Sequence, residues 1–432
     1  MNKEILRLAI PNIITNLSVP LVSLVDLALM GRMPSTAYIL AMGFGTVIFN
    51  FIYWAFGFLR MGTTGMVSQA YGKSDNNTSR DLLIKGLSIA FVAGLLMILF
   101  QYPLKEAALF LINPESEVVA PLSTYFNYRI FAAPATISLF VISGWLLGMQ
   151  NAKWAMILAL TVNGINAVLS FVLVHYFKLN IAGVAIGKVI AQYSGLLIAI
   201  LIFKSKYELN IQLSDFRRIL KSKGWRSFIS VNSDILIRTL CLIFTMSFFK
   251  TKAGNVDPIL GAANILLLEF ISISAYGIDG FAFAAEALSG KYFGLGKKES
   301  FMKSVKVAMK WGLGIAVLLS IVFVFFGEEL LFVLTNQKEV LNAALVYLPW
   351  LIAAPIINSF AFIWDGIYVG TTTSKAMRNT MIFSTFVIFL PAFFIGDHYL
   401  NNHGIWLAFS LFMLSRGVFQ SFLAKSYIFN RL

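Results

Sequence analysis

Residues 5–31 read ILRLAIPNIITNLSVPLVSLVDLALMG. A helix needs about 20 predominantly apolar residues to cross a hydrocarbon core, and this stretch exceeds that. It carries one acid, Asp26, toward its far end. The whole chain has the same character. Of 432 residues, 58% are hydrophobic and 12% charged, and the mean hydropathy is +0.79. Soluble chains run at about half apolar and about a quarter charged. The surplus apolar surface must face lipid, which excludes a disordered protein, a secreted disulfide scaffold and a cytosolic enzyme. The single cysteine, Cys241, cannot form an internal disulfide. The run from Ile5 to Met30 is too long for the apolar core of a signal peptide and no small-residue cleavage site follows it, so no cleavable leader is expected.

Eleven further stretches are long and apolar enough to span: 38–66, 82–103, 118–149, 154–177, 181–203, 227–249, 258–289, 304–326, 340–370, 379–396 and 404–429. Lysine and arginine orient them. With the N-terminus inside, 23 of the 34 Lys and Arg fall in inside segments and 6 in outside ones. The other five, Arg60, Arg129, Lys188, Arg238 and Arg416, lie within spans. Both termini are therefore expected in the cytoplasm. The net charge of +14 reads as loop bias, and nucleic acid is not expected as a partner.

The chain repeats itself. Ala132-Ala133-Pro134, Gly144-x-x-x-Gly148 and Lys153 return as Ala353-Ala354-Pro355, Gly366-x-x-x-Gly370 and Lys375, and Tyr71-Gly72 returns as Phe293-Gly294. The offset is 221 at the first anchor and 222 at the others. Six spans per repeat give both repeats the same orientation. The expected fold is all-α and membrane-integral, with twelve transmembrane helices in two six-helix bundles related by a pseudo-two-fold axis along the membrane normal. Residues 1–206 form an N-lobe, 207–224 a basic cytoplasmic linker and 225–432 a C-lobe. Transporters built this way hold substrate and coupling ion near the midplane and rock one half against the other. The Gly-x-x-x-Gly pairs either allow close helix approach or reflect the abundance of glycine in spans.

A carboxylate in mid-span costs about 2.5–3.5 kcal/mol on insertion scales and persists because it is paired or because it works. Asp26 is the one carboxylate inside the first six spans. Desolvation disfavours its charged form, which suits a group that exchanges protons. The structural alternative is an ion pair with Arg60 or Arg129. Pro11 and Pro20 on the same helix each remove a backbone hydrogen bond and favour a bend, either static or part of a switching element. Asn163 and Asn166 in the fifth span are interhelical hydrogen-bond partners or cation ligands. In the second half, Glu269, Asp279, Glu286 and Asp365 either line a cavity or pair with Arg238, Lys188 or Arg416. Asp279 and Glu286 are seven apart and share a helix face.

Enzyme constellations are poor. Asp397, His398 and His403 read as a short outer loop, and His at i and i+5 does not match the i, i+4 zinc helix. No Gly-x-x-x-x-Gly-Lys-Ser/Thr phosphate-binding loop is present. Neither an enzyme, a metal site nor a cofactor is expected, and an ion gradient is the natural energy source.

Several segments carry a family likeness: Pro20-LVSLV-Asp26-LALMGR, Phe58-LRMGTTGMVSQAYG, Leu147-GMQNAK, Tyr276-GIDGFAFAAEALSG, and Trp364-DGIYVG with Met377-Arg378-Asn379. They cover both halves. Together the chain resembles the multidrug and toxic compound extrusion (MATE) transporters, the DinF branch in particular. The resemblance implies two lobes around a central cavity in the bacterial inner membrane, exporting cationic or amphiphilic compounds against inward proton or sodium flow. It implies that Asp26 is the protonation or cation site, that Pro11 and Pro20 sit where the first helix bends, and that Asn166 helps form the N-lobe cation site. Many relatives carry an acid four residues after that asparagine. Ser170 stands there in this chain, which weakens a sodium site and favours protons.

The leading expectation is a proton-coupled multidrug antiporter working by alternating access as a monomer. Sodium coupling is the first alternative. The second is a flippase of lipid-linked precursors, which needs a basic cavity; the sign of the cavity lining separates it from the leading reading.

Overall fold

The computed structural model describes residues 1–209, 213–222, 224–254 and 256–432. The expected linker at 207–224 is therefore described except for 210–212 and 223; it contains a short helix, Leu213–Leu220. Among the described residues, twelve helices are long and apolar enough to cross a membrane, as expected. They are α1 (Asn2–Met30), α2 (Ala37–Gly72), α3 (Asn76–Leu99), α4 (Ser116–Gly148), α5 (Ala152–His175) and α6 (Asn180–Lys206) in the first half. The second half holds α7 (Trp225–Gly254), α8 (Pro258–Gly294), α9 (Lys298–Leu334), α10 (Lys338–Gly370), α11 (Ser374–Leu400) and α12 (Asn402–Arg431). No strand occurs among the described residues. With no water in the hydrocarbon core, helices satisfy their backbone internally, and bulky side chains such as Phe325, Phe394 and Phe422 stay exposed for lipid.

Local chemistry sets the ends and breaks. Asp257 caps α8 by accepting from the backbone N–H groups of Ile259 and Leu260 at 2.9 and 3.0 Å, with Pro258 in the first turn, where its missing N–H is harmless. Asp75 caps α3 through Thr78 N at 2.9 Å. α11 widens into a π-helical stretch over Ser384–Phe389 just before Pro391. A proline inside a helix lacks the N–H and crowds the preceding turn, and the wider turn relieves both. The outer loop expected around 397–403 is nearly absent. Asp397 and His398 lie in the last turn of α11, and His403 lies in the first turn of α12, where its Nδ1 accepts from Trp350 Nε1 at 3.1 Å. Hydropathy alone truncates such helix ends, because charged and polar residues still propagate a helix beyond the apolar stretch.

The chain forms two compact units. One comprises Met1–Ile13, Thr64–Ser74 and Ile229–Leu432; the other comprises Ile14–Thr63 and Asp75–Phe228. α1 and α2 each contribute to both, and the division in α1 falls between Pro11 and Pro20.

The duplication is visible as geometry. In the first unit, a Cβ on Gly72 would lie 2.1 Å from the carbonyl oxygen of Lys291, and a Cβ on Gly294 would lie 2.3 Å from that of Gln69. The steps from 72 to 294 and from 69 to 291 are both 222, so the two contacts are one reciprocal contact made twice, the signature of a two-fold relation. The Gly-x-x-x-Gly pairs act the same way. A Cβ on Gly366 would meet the carbonyl of Ala282 at 2.3 Å; in the other unit, one on Gly144 would meet that of Arg60 at 2.4 Å. Again both partners are displaced by 222. These glycines let helix backbones touch, the role small residues play where lipid supplies no hydrophobic drive to associate.

Gly314 in α9 has open space where its Cβ would be. We therefore expect Gly314→Ala to hold or raise the thermal midpoint of the purified protein, since alanine removes about 0.5–1 kcal/mol of helix penalty. Gly366→Ala is expected to lower it by several degrees, because α8 and α10 must part. Equal midpoints for the two variants in a thermal melt would contradict this packing role.

Candidate functional site

Asp26 is fully buried. Its expected structural partners were Arg60 or Arg129; the structure corrects both to Lys188 of α6, whose Nζ lies 2.8 Å from Oδ2. Neither carboxylate oxygen has an aligned hydrogen bond among the described residues. The pair is therefore held by charge in a low-dielectric setting rather than by a directed network.

Three glycines place Lys188. α6 packs on α5 with Gly183 against Leu173, Gly187 against Ser170 and Gly195 against Val162. A Cβ at Gly187 would lie 3.0 Å from the Ser170 backbone N, so α6 at Lys188 cannot drift from Ser170. Asn166 is buried, and its Oδ1 accepts from Ser170 Oγ at 3.4 Å. Asn163 Nδ2 donates to Ser18 Oγ at 2.8 Å, tying α5 to α1 two residues before Pro20. α1 runs as one helix through Pro11 and Pro20.

In this unit lies a cavity of about 130 Å³. Its wall takes Val19, Val22 and Ser23 from α1, Thr46, Phe49, Asn50 and Tyr53 from α2, Tyr125 and Arg129 from α4, Val162, Asn163 and Asn166 from α5, and Lys188 and Gln192 from α6. Gly45 makes room for Tyr125, whose ring would stand 2.5 Å from a Cβ there. Arg129 is 7% exposed. Its Cζ lies 5.5 Å from the Phe49 ring centre and 5.3 Å from that of Tyr53, a cation–π clamp. The wall thus presents two cations, and no carboxylate among its described residues. Asp26 sits behind Lys188 and not on the wall.

The acids of the second half are not gathered into one site. Asp365 is buried and saturated. Arg238 donates to its Oδ2, Arg416 Nη2 reaches the same oxygen at 2.5 Å, and Gln420 Nε2 donates to Oδ1 at 2.7 Å. A carboxylate with three such donors is a fixed structural centre. Glu269 is exposed, Asp279 half-buried and Glu286 buried. The sequence reading missed Asp234, which accepts from Arg378 Nη1 at 2.6 Å and Ser374 Oγ at 2.8 Å. It also missed Glu4, which accepts from Lys291 Nζ at 3.1 Å and Tyr292 at 3.0 Å. It named Lys188 but not as the partner of Asp26; the only signal was its isolation in an apolar span beside Gly187.

Breaking a buried ion pair from one side strands a charge and costs about 3–5 kcal/mol, whereas removing both partners is near neutral. Lys188→Met is expected to lower the thermal midpoint markedly, and Asp26→Asn combined with Lys188→Met to restore most of it. Additive losses in this double-mutant cycle would show that the two side chains do not interact.

Comparison with known proteins agrees with this architecture. The MatE family model matches residues 11–172 and again residues 236–395, once per half. The chain is 30% identical over 422 residues to DNA damage-inducible protein F of Escherichia coli (strain K12), covering 96% of this chain and 90% of that protein. It is 20% identical over 415 residues to multidrug export protein MepA of Staphylococcus aureus (strain N315), covering 93% and 89%. Its fold is similar to a crystal structure of MATE in the bent conformation, with a TM-score of 0.88 at 19% identity, covering 98% of this chain and 94% of that one. On its motifs, its two matched halves and its fold, the chain belongs to the MatE family, the MATE multidrug efflux transporters.

Proposed function

We propose that the chain is a secondary active exporter of small amphiphilic organic compounds, coupled to protons through Asp26 and Lys188. The observation that carries this reading is the Lys188 ammonium 2.8 Å from Asp26, with Asn166 and Ser170 beside it. Sodium coupling would place a metal cation among those same groups. In this chain the place is filled by a cation on a tether. A proton needs no such space. Once it neutralises Asp26, Lys188 loses its counter-ion, and its flexible stem lets the ammonium turn to the cavity.

The remaining parts of the reading follow the sequence. The two lobes, 1–206 and 225–432, alternate access around the site, with both termini cytoplasmic as the Lys and Arg distribution favours. Pro11 and Pro20 bend α1. Asn163 and Asn166 position the pair, and Ser170 supports them. Glu269, Asp279 and Glu286 contribute to the second half of the pathway, while Asp365 serves structure. The protein acts as a monomer in a bacterial inner membrane, with no cofactor. A cationic cargo that displaces Lys188 competes with the proton for Asp26, and that competition is antiport. The preference for cations rests on the family resemblance and draws no support from the cavity wall. The second reading, flipping of a lipid-linked precursor, is favoured by Arg129 and Lys188 on that wall.

The test is transport of a fluorescent cationic dye in liposomes under an imposed pH gradient, beside a sodium gradient. Dye movement is expected to follow the pH gradient and to fall at least tenfold in Asp26→Asn. Movement that follows sodium, or that persists unchanged in the variant, would remove Asp26 from proton coupling.

A further inference from the structure

Arg129 is the charge that the coupling site does not use. It sits within the span of α4 and is itself buried. Its Nε and Nη1 have no hydrogen-bond partner among the described residues, and no carboxylate pairs with it there. The faces of Phe49 and Tyr53 stabilise its charge but leave its N–H fork unfilled. Buried guanidinium groups in membrane proteins otherwise pair or line a pathway. Asp365 shows how this chain closes such a fork when the role is structural, with two guanidinium groups on one carboxylate. Arg129 instead opens on the cavity, whose wall adds a second cation, Lys188, already balanced by Asp26.

We infer that this cavity binds the anionic head group of an amphiphile, a phosphate, sulfonate or carboxylate, with Arg129 as the principal ligand. A planar guanidinium fork matches two oxygens of such a group. About 130 Å³ holds a head group and not a whole drug-sized molecule. The neighbouring wall of Val19, Val22, Val162 and Phe49 suits the first carbons of an apolar tail. The net charge of the site is one positive unit from Arg129 beside the neutral Asp26–Lys188 pair, so a monoanion balances it. This inference does not depend on the proton being the coupling ion, since it concerns what the cavity holds.

The experiment measures binding, so that its failure is separate from failure of transport. Full-length protein is placed in phosphatidylcholine nanodiscs, and saturable binding of radiolabelled dodecyl phosphate is read above that of empty discs. Dodecyltrimethylammonium is the cationic counterpart. Wild type is expected to bind the phosphate at least tenfold more tightly than the ammonium, with inorganic phosphate competing. Arg129→Gln is expected to weaken binding at least tenfold and Arg129→Lys to recover part of it, while the thermal midpoint of ligand-free Arg129→Gln stays equal or rises. A lower midpoint with unchanged affinity would make Arg129 a cation–π staple and overturn the inference, as would preference for the ammonium or no saturable binding at all. Discs containing phosphatidylglycerol identify the source. Competition by that lipid supports a membrane head group, and undiminished binding supports a free amphiphile. The wild-type competition by inorganic phosphate tests the inference even if the Gln variant does not fold.

Discussion

An unneutralised charge in hydrocarbon is the constraint on which this structure depends. The chain meets it in two different ways. Asp365 is closed by Arg238, Arg416 and Gln420, so every direction from the carboxylate is filled. Such a network rigidifies and offers nothing to exchange. Asp26 has one ammonium near it and no aligned hydrogen bond among the described residues. Its stabilisation is almost wholly coulombic and vanishes when either partner loses its charge. The first arrangement is a rivet and the second a latch, although both are buried carboxylates with basic partners.

The latch is useful only if the backbone around it is still. Gly183, Gly187 and Gly195 bring α6 against α5 at backbone distance, so Lys188 cannot respond by moving its helix. What remains mobile is its own four-carbon stem. α1 is different. The division between the two compact units falls inside it, between Pro11 and Pro20, where two backbone hydrogen bonds are already missing. Asn163 holds the far side of that division through Ser18. A charge change at Asp26 thus falls on a helix whose two ends belong to different units.

The spans and the duplication were legible because both rest on residue type along the chain. Apolar length marks a crossing helix, and the recurring glycines at a step of 222 reappear as the reciprocal contacts of Gly72 and Gly294. Asp26 was legible for the same reason, as a lone acid in an apolar run. Its partner was not. Five in-span cations were available, and choosing among them requires knowing that α6 lies beside α1. The nearer-looking choice, Arg129, was taken by two rings that sequence cannot distinguish from the many other aromatics. Asp397 and His398 were misplaced into a loop because hydropathy falls where a helix leaves lipid, not where its hydrogen bonds end.

On the proton coupling proposed for Asp26, the charge of the cargo fixes the sign of exchange at this site. A cation that reaches Asp26 excludes the proton, so the two exchange across the membrane. An anion on Arg129 acts oppositely. It favours the positive state of the cavity, hence a protonated Asp26 and a free Lys188, and by linkage a proton on Asp26 favours the anion to the same degree. Proton and anion then travel together, and an inward proton gradient opposes export. With one proton per monoanion no net charge crosses, so the membrane potential does no work on the pair. A carrier with Lys188 latched on Asp26 and Arg129 open to the cavity is therefore built to read cargo charge: the same carboxylate gives exchange for one sign and companionship for the other. On that proposal the proton gradient drives export only of a cargo that displaces the proton from Asp26.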